Sequence, residues 1–174
     1  MRRIATGRIG ATVTVAAVVF LVHVRVVADD FTRLFCIERS QNANVVCYDA
    51  RLRRDRTLDR DDPIDAYWIM RAENGRREKL SWLERKLAYG FTILGRPSDS
   101  GFRFRLDALP QRLIEVRRAD RGFLAVTPIG GRPARLGRVY VQLEPGGGKP
   151  KVRYVEVYGD DLATGSRRVE RVTP

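Results

Sequence analysis

Apolar and polar residues alternate with a period of two over most of this chain, and that alternation commits it to sheet, because successive side chains of a strand point to opposite faces. Phe102, Phe104 and Leu106 alternate with Arg103, Arg105 and Asp107. Val139, Val141 and Leu143 alternate with Arg138, Tyr140, Gln142 and Glu144. Ile64, Ala66, Trp68 and Met70 take one face of a run whose other face carries Tyr67 and Ile69, which describes a strand buried on much of both sides. Further strand-like runs cover residues 34–40, 44–49, 113–118, 123–129 and 152–158, with a weak last one at 169–172. Turn residues punctuate them: Gln41-Asn42-Ala43, Asn74-Gly75, Asp120-Arg121-Gly122 and Gly146-Gly147-Gly148. About eight to ten short strands at such spacing predict a mainly β domain, an antiparallel sandwich or barrel. Residues 51–62 are almost wholly charged apart from Leu52 and Leu58 and read as a solvated loop ending at Pro63.

One segment has another period. Ser81-Trp82-Leu83-Glu84 fits a capping box, in which the serine hydroxyl and the glutamate carboxylate satisfy orphan amides at a helix start. Leu80, Leu83 and Leu87 then fall on one helical face, and Gly90 supplies a left-handed stop. This predicts one short α-helix of about two and a half turns, dependent on packing against the sheet and closing one end or edge.

The front of the chain differs from the body. Arg2, Arg3 and Arg8 precede residues 9–22, a run free of charge, and Val26-Val27-Ala28 supplies modest side chains before Asp29. This is the pattern of an export leader cleaved after Ala28. The alternative, an N-terminal anchor, needs about 20 mostly apolar residues and so must absorb His23 and Arg25. Residues 1–28 are therefore expected to be a signal peptide or anchor, and 29–174 one domain facing the periplasm, free or held at the inner membrane. Arg2, Arg3, Arg8 and Arg25 leave with the leader, which takes the formal charge from +12 to +8. Export removes nucleic acid as a partner, whereas an anionic membrane surface, another envelope component or a protein fits a basic exported body.

The chain's one histidine, His23, lies in the leader. The body then lacks the base of a Ser-His-Asp or Cys-His site and the usual ligands of zinc, so no metal or cofactor is expected. Carboxylates remain. Glu38, Asp49, Glu156, Asp160 and Asp161 lie in or beside apolar strands, and Glu38 with Glu156 could form a glycosidase-like acid/base pair if held about 5–9.5 Å apart. The two cysteines, Cys36 and Cys47, sit at similar distances from the first hairpin turn. They are candidates for a cross-strand disulfide, the alternative being two small buried thiols.

Several separated phrases also resemble a known family: Phe35-Cys36-Ile37-Glu38-Arg39-Ser40 with Asn42 and Asn44, Tyr48-Asp49, Pro63 with Ala66-Tyr67-Trp68-Ile69, Leu80-Ser81, Lys86, and Ala88-Tyr89-Gly90-Phe91. The likeness continues through Lys151-Val152, Tyr154-Val155-Glu156, Gly159 and Thr164-Gly165. From Phe35 to the C terminus the chain is similar to the exported bacterial family of domain of unknown function 4833. The resemblance implies a leader followed by one mostly β domain, with no assigned catalytic residue or cofactor. The two cysteines are not part of its pattern.

Candidate binding residues follow from the same phrases. Glu38, Arg39, Ser40, Asn42 and Asn44 concentrate polarity at a hairpin end, Tyr67, Trp68 and Tyr89 supply aromatics, and Lys86 and Glu156 complete the set. Folded together, they give an aromatic-floored pocket suited to a sugar, a peptide end or an anionic headgroup. Folded apart, the asparagines bond their own turns, Glu38 and Arg39 pair with neighbours, and Trp68 is core. The leading expectation is a non-enzymatic exported binding module. A carboxylate-dependent hydrolase and a passive assembly module with an exposed sheet edge are the alternatives.

Overall fold

The alternating runs do become strands, and the computed structural model, which describes residues 31–145 and 151–173, joins them into one curled sheet, a half-barrel. The leader, its cleavage point and the triple-glycine turn lie outside the described residues. In chain order the strands are β1 (Phe31–Arg39), β2 (Asn42–Arg51), β3 (Ile64–Met70), β4 (Arg76–Lys79), β5 (Phe91–Ser98), β6 (Gly101–Leu106), β7 (Leu109–Ala119), β8 (Gly122–Ile129), β9 (Arg132–Leu143), β10 (Val152–Asp161) and β11 (Arg167–Val172). The strands that sequence reading does not place are β5 and β4, the latter four exposed charged side chains with no apolar alternation to mark them. Charge is what an edge strand uses to discourage pairing with another chain.

Strand order along the sheet is β4-β3-β2-β1-β9-β8-β7-β6-β5, with β10 on the other side of β9 and β11 beyond it. The long β9 is the branch point. Its first residues, Arg132 to Arg135, pair with β8, its later ones, Arg138 to Val141, pair with β1, and β10 follows nearly its whole length. The β1–β9 pairing is parallel and every other one antiparallel. Two wings, β1–β4 and β5–β8, thus fold over each other from a common spine.

Aromatic residues fill the space between the wings at one end. Phe35 of β1 stacks on Tyr48 of β2 at 4.7 Å between ring centres and reaches Phe104 of β6 at 6.3 Å. Phe91 meets both Tyr48 and Phe104 edge-on. Such pairs add to the burial of large apolar area, the main source of a β domain's stability. Close approach explains two glycines. At Gly101, which has φ of +138°, a Cβ would lie 1.8 Å from the carbonyl oxygen of Val116. At Gly159, where the β9–β10 register shifts, it would lie 2.3 Å from that of Arg135.

The segment between β4 and β5 departs from the expected helix. The capping box forms: the Ser81 hydroxyl accepts from the Glu84 amide, and the Glu84 carboxylate accepts from the Ser81 amide. Only Trp82–Glu84 is α-helical (α1), and Arg85–Tyr89 continues as a wider π turn. Leu80 and Tyr89 are buried, but Leu83 and Leu87 face outward. Gly90 is extended rather than left-handed, with φ of −67°. Its lack of a side chain serves a close approach, since a Cβ would sit 2.2 Å from Asp107 Oδ2.

The charged 51–62 loop is also more anchored than its composition implies. Leu52 and Leu58 bridge to each other and are buried, while Arg51, Arg53 and Arg60 pair with Asp62, Asp61 and Asp99 on the wet side. In the first hairpin the turn is tighter than Gln41-Asn42-Ala43, with Asn42 already in β2 opposite Arg39.

Candidate ligand-binding cavity

Where the phenylalanines end, valines begin. On the inner face of the spine Val139, Val141, Val155 and Val172 stand where larger side chains would be needed to fill the half-barrel, and a cavity of about 710 Å³ opens between them, Leu106, Leu109 and the 82–89 segment. That is within the roughly 300–1,000 Å³ typical of small-molecule sites. Most of the wall is aliphatic, with Arg39, Asn42 and Glu84 as its polar groups and Trp68 and Tyr89 as its aromatics.

Period two decides who reaches the cavity. Arg39 shares the inner row of β1 with Phe35 and Ile37, and its guanidinium lies over the Tyr89 ring, 4.5 Å from the centre. It forms no ion pair with a described residue. Trp68, on the inner row of β3, meets Tyr89 edge-on at 5.2 Å. Its indole N–H donates to Glu84 Oε1 at 3.0 Å, and Glu84 Oε2 accepts from the Ser81 amide and hydroxyl at 2.7 Å each. Bonding from the Ser81 hydroxyl, then from its amide and from Trp68, outweighs burial and holds the Glu84 carboxyl below its usual range. Glu84 is therefore an anion hydrogen-bonded on both oxygens, whereas Arg39, whose charge also helps to hold Glu84 low, makes no direct ion pair. Burial lifts the Tyr89 hydroxyl to about 12, against the opposing pull of Arg39. The Tyr48 hydroxyl donates to the Tyr89 carbonyl at 2.9 Å, which ties the end of the helical segment to the core.

Of the remaining candidates Asn42 touches the cavity wall, and the others lie away from it. Glu38, one residue from Arg39, faces outward and accepts from Arg71 and Arg138 at 3.0 and 3.1 Å. Glu156 also faces outward, across Tyr140 from Glu38 in the strand register, and accepts from Tyr158 and Arg171. Those two bonds, the Tyr158 hydroxyl first, hold the Glu156 carboxyl low. A glycosidase acid needs the reverse, a carboxyl kept protonated near neutral pH. Lys86 stacks its ammonium on the Trp82 ring at 4.9 Å. Ser40 Oγ accepts from the Leu143 amide and so pins β1 to β9. Asn42 accepts from the Asn44 amide within its own turn, and both asparagines line a shallower recess of about 230 Å³ with Trp68, Met70, Glu78 and Glu84.

Tyr67 belongs to a different group on the outer face. Its hydroxyl donates to buried Asp49 and accepts from Arg33, and Arg77 covers its ring at 3.6 Å. Burial, then the Asp49 bond, lifts the hydroxyl to about 12. Cys36 and Cys47, directly opposed on β1 and β2, form a disulfide beside this cluster, with Arg33 Nη1 3.4 Å from each sulfur. Asp161, also buried, is bonded by Arg168 and by the Ala163 and Thr164 amides in the β10–β11 turn. Asp160 is exposed.

Sequence reading missed the valine wall. Its signal is the size difference between inward rows, phenylalanine on β6 and valine on β9 and β10, but which rows face each other depends on the β9 branch point.

Residues 35–171 match the family described as Domain of unknown function (DUF4833), and the chain belongs to that family. No curated protein and no solved structure matches it.

Proposed function

We propose that this is an exported, non-enzymatic binding domain whose site is the open end of the half-barrel, and that its ligand is an amphipathic molecule with an apolar chain and an anionic head. The observation that carries the reading is the pairing of an aliphatic cavity with a guanidinium that makes no direct ion pair, Glu84 acting on it only through space. The chain of the ligand would lie between the valines of the spine and Leu106 and Leu109, and the head would meet Arg39 above the Tyr89 ring. Burial of methylenes supplies affinity at about 0.8 kcal/mol each, and the charged contact fixes orientation. The apolar leader and the Cys36–Cys47 disulfide support a periplasmic or membrane-tethered location, since such bonds persist in oxidising compartments. The assembly-module reading has less support, because the β4 edge is charged along its length.

The test is displacement of a fluorescent fatty acid from the purified protein, paired with V141F, which fills the cavity from its wall. Saturable binding by the parent chain that V141F abolishes without unfolding is the expected result. Absence of binding, or equal binding by V141F, would refute the site. Recovery of the processed chain beginning at Asp29 in the periplasmic fraction is expected from the same reading, and a cytoplasmic chain beginning at Met1 would contradict it.

A further inference from the structure

The 82–89 segment turns a second feature outward. Trp82, Leu83 and Leu87 are 71%, 55% and 72% exposed, although they are among the largest apolar side chains of the segment. Scattered apolar residues on a surface need no explanation, but a contiguous group at the lip of an apolar cavity does. Leu83 and Leu87 also line that cavity, and Val152, 39% exposed, stands on its wall. The apolar surface is therefore continuous from the cavity interior to the solvent.

This exposure is built in and is not the fraying of a short helix. The capping box closes the start of the segment, Trp68 holds Glu84, and Tyr89 is buried with its carbonyl bonded by Tyr48. With these anchors turned inward, Trp82, Leu83 and Leu87 have only the outward direction left. The segment's own exposed charges are basic, Arg85 and Lys86, and the Lys86 ammonium rests on the Trp82 ring, while the exposed acid Asp107 lies at the far end beside Gly90. The segment's acid, Glu84, is occupied by Ser81 and Trp68. A tryptophan and leucines flanked by cations match the polar-apolar boundary of a bilayer, where the indole sits among headgroups and the cations meet anionic lipid.

We infer that residues 82–89 dock the domain on an anionic lipid surface, with Trp82, Leu83 and Leu87 inserted and Arg85 and Lys86 at the headgroups. Docking stands whether or not the cavity takes a ligand. The consequence that the cavity mouth then faces the bilayer, so that an acyl chain can pass without crossing water, rests on the function proposed above.

The test uses vesicles of phosphatidylglycerol and brominated phosphatidylcholine, with tryptophan emission as the readout. Bromine on the acyl chains should quench the parent chain. W82F should lose that quenched component while keeping the Trp68 emission, which separates this segment from any anchoring by the front of the chain. R85E/K86E should weaken partitioning by about fivefold or more per charge, with the effect fading at high salt. L83S/L87S should weaken it at all salt concentrations. Quenching unchanged in W82F, partitioning unchanged in L83S/L87S, or a vesicle-free dimer that W82S converts to monomer would each overturn the inference. Fatty-acid displacement measured without vesicles reads the cavity separately, so failure of one proposal is not failure of the other.

Discussion

Arg39 lays its guanidinium 4.5 Å from the centre of the Tyr89 ring, at the mouth of a cavity whose other charged group, Glu84, already has its partners. The contact holds the arginine over an aromatic face without neutralising it. R39M keeps the apolar stem and removes the charge. It is expected to weaken binding of an anionic amphipath by roughly 10–100-fold, the range for a hydrogen bond to a charged group. Binding of an uncharged alcohol of equal chain length should change little. Calorimetric titration of both ligands checks this, and equal losses for the two would show that Arg39 shapes the wall and does not read the head.

Phenylalanine packing and the valine wall should respond differently to truncation. Phe104 is fully buried and touches Phe35, Phe91 and Phe102, so F104A removes a ring from filled space and should cost about 3–5 kcal/mol. Val141 borders space that is already open, and V141A should cost well under half of that. Urea denaturation of the two variants measures the difference. Similar costs would mean that the cavity collapses in solution.

Most of the scaffold was legible in the sequence because β6 and β9 have one wet and one dry face, and β1, β2 and β3 are apolar runs between turns whose side chains still alternate in direction. The inward turn of Trp68 and the outward turn of Tyr67 follow from that count of two. The same count separates Glu38 from Arg39, although their shared phrase had grouped them as one site. Three things were not legible. The β4 edge has no apolar signal, because Arg76, Arg77, Glu78 and Lys79 are all charged and exposed and join the sheet through their backbone ladder to β3. The outward Leu83 and Leu87 follow from where Tyr89 is anchored, which is a tertiary fact. The cavity itself depends on the parallel register of β1 on β9, which no local pattern encodes.

The Cys36–Cys47 bond closes a short stretch of chain, 11 residues in separation, within a hairpin. Loop-closure entropy for such a length amounts to about 2–3 kcal/mol. C36S/C47S, or reduction of the native chain, is expected to lower stability by that amount while the sheet signature in circular dichroism persists, since the hairpin is also held by its strand ladder. Urea midpoints with and without reductant measure it. No shift on reduction would mean that the bond adds nothing to the folded state's advantage.

Asp161 gives the clearest pH signature. The Arg168 guanidinium, then the Ala163 and Thr164 amides, hold its carboxyl at about 2, against a usual value near 3.8. A carboxyl depressed by folding releases its proton more readily in the native state, so the unfolded chain binds more protons between those two values. The stabilisation is therefore fully present above about pH 4 and is lost as pH falls toward about 2. D161N keeps an oxygen for the turn amides and loses the charge that Arg168 meets. It should be less stable than the parent at pH 6, with the difference shrinking through the pH 4 to 2 window and nearly gone at its acid end. The other depressed carboxylates, among them Glu84 and Glu156, shape both curves alike, so the difference between parent and variant isolates this group. Urea midpoints across that window supply the measurement. An offset that stays constant with pH would assign the effect of D161N to turn geometry and remove the charge from the explanation.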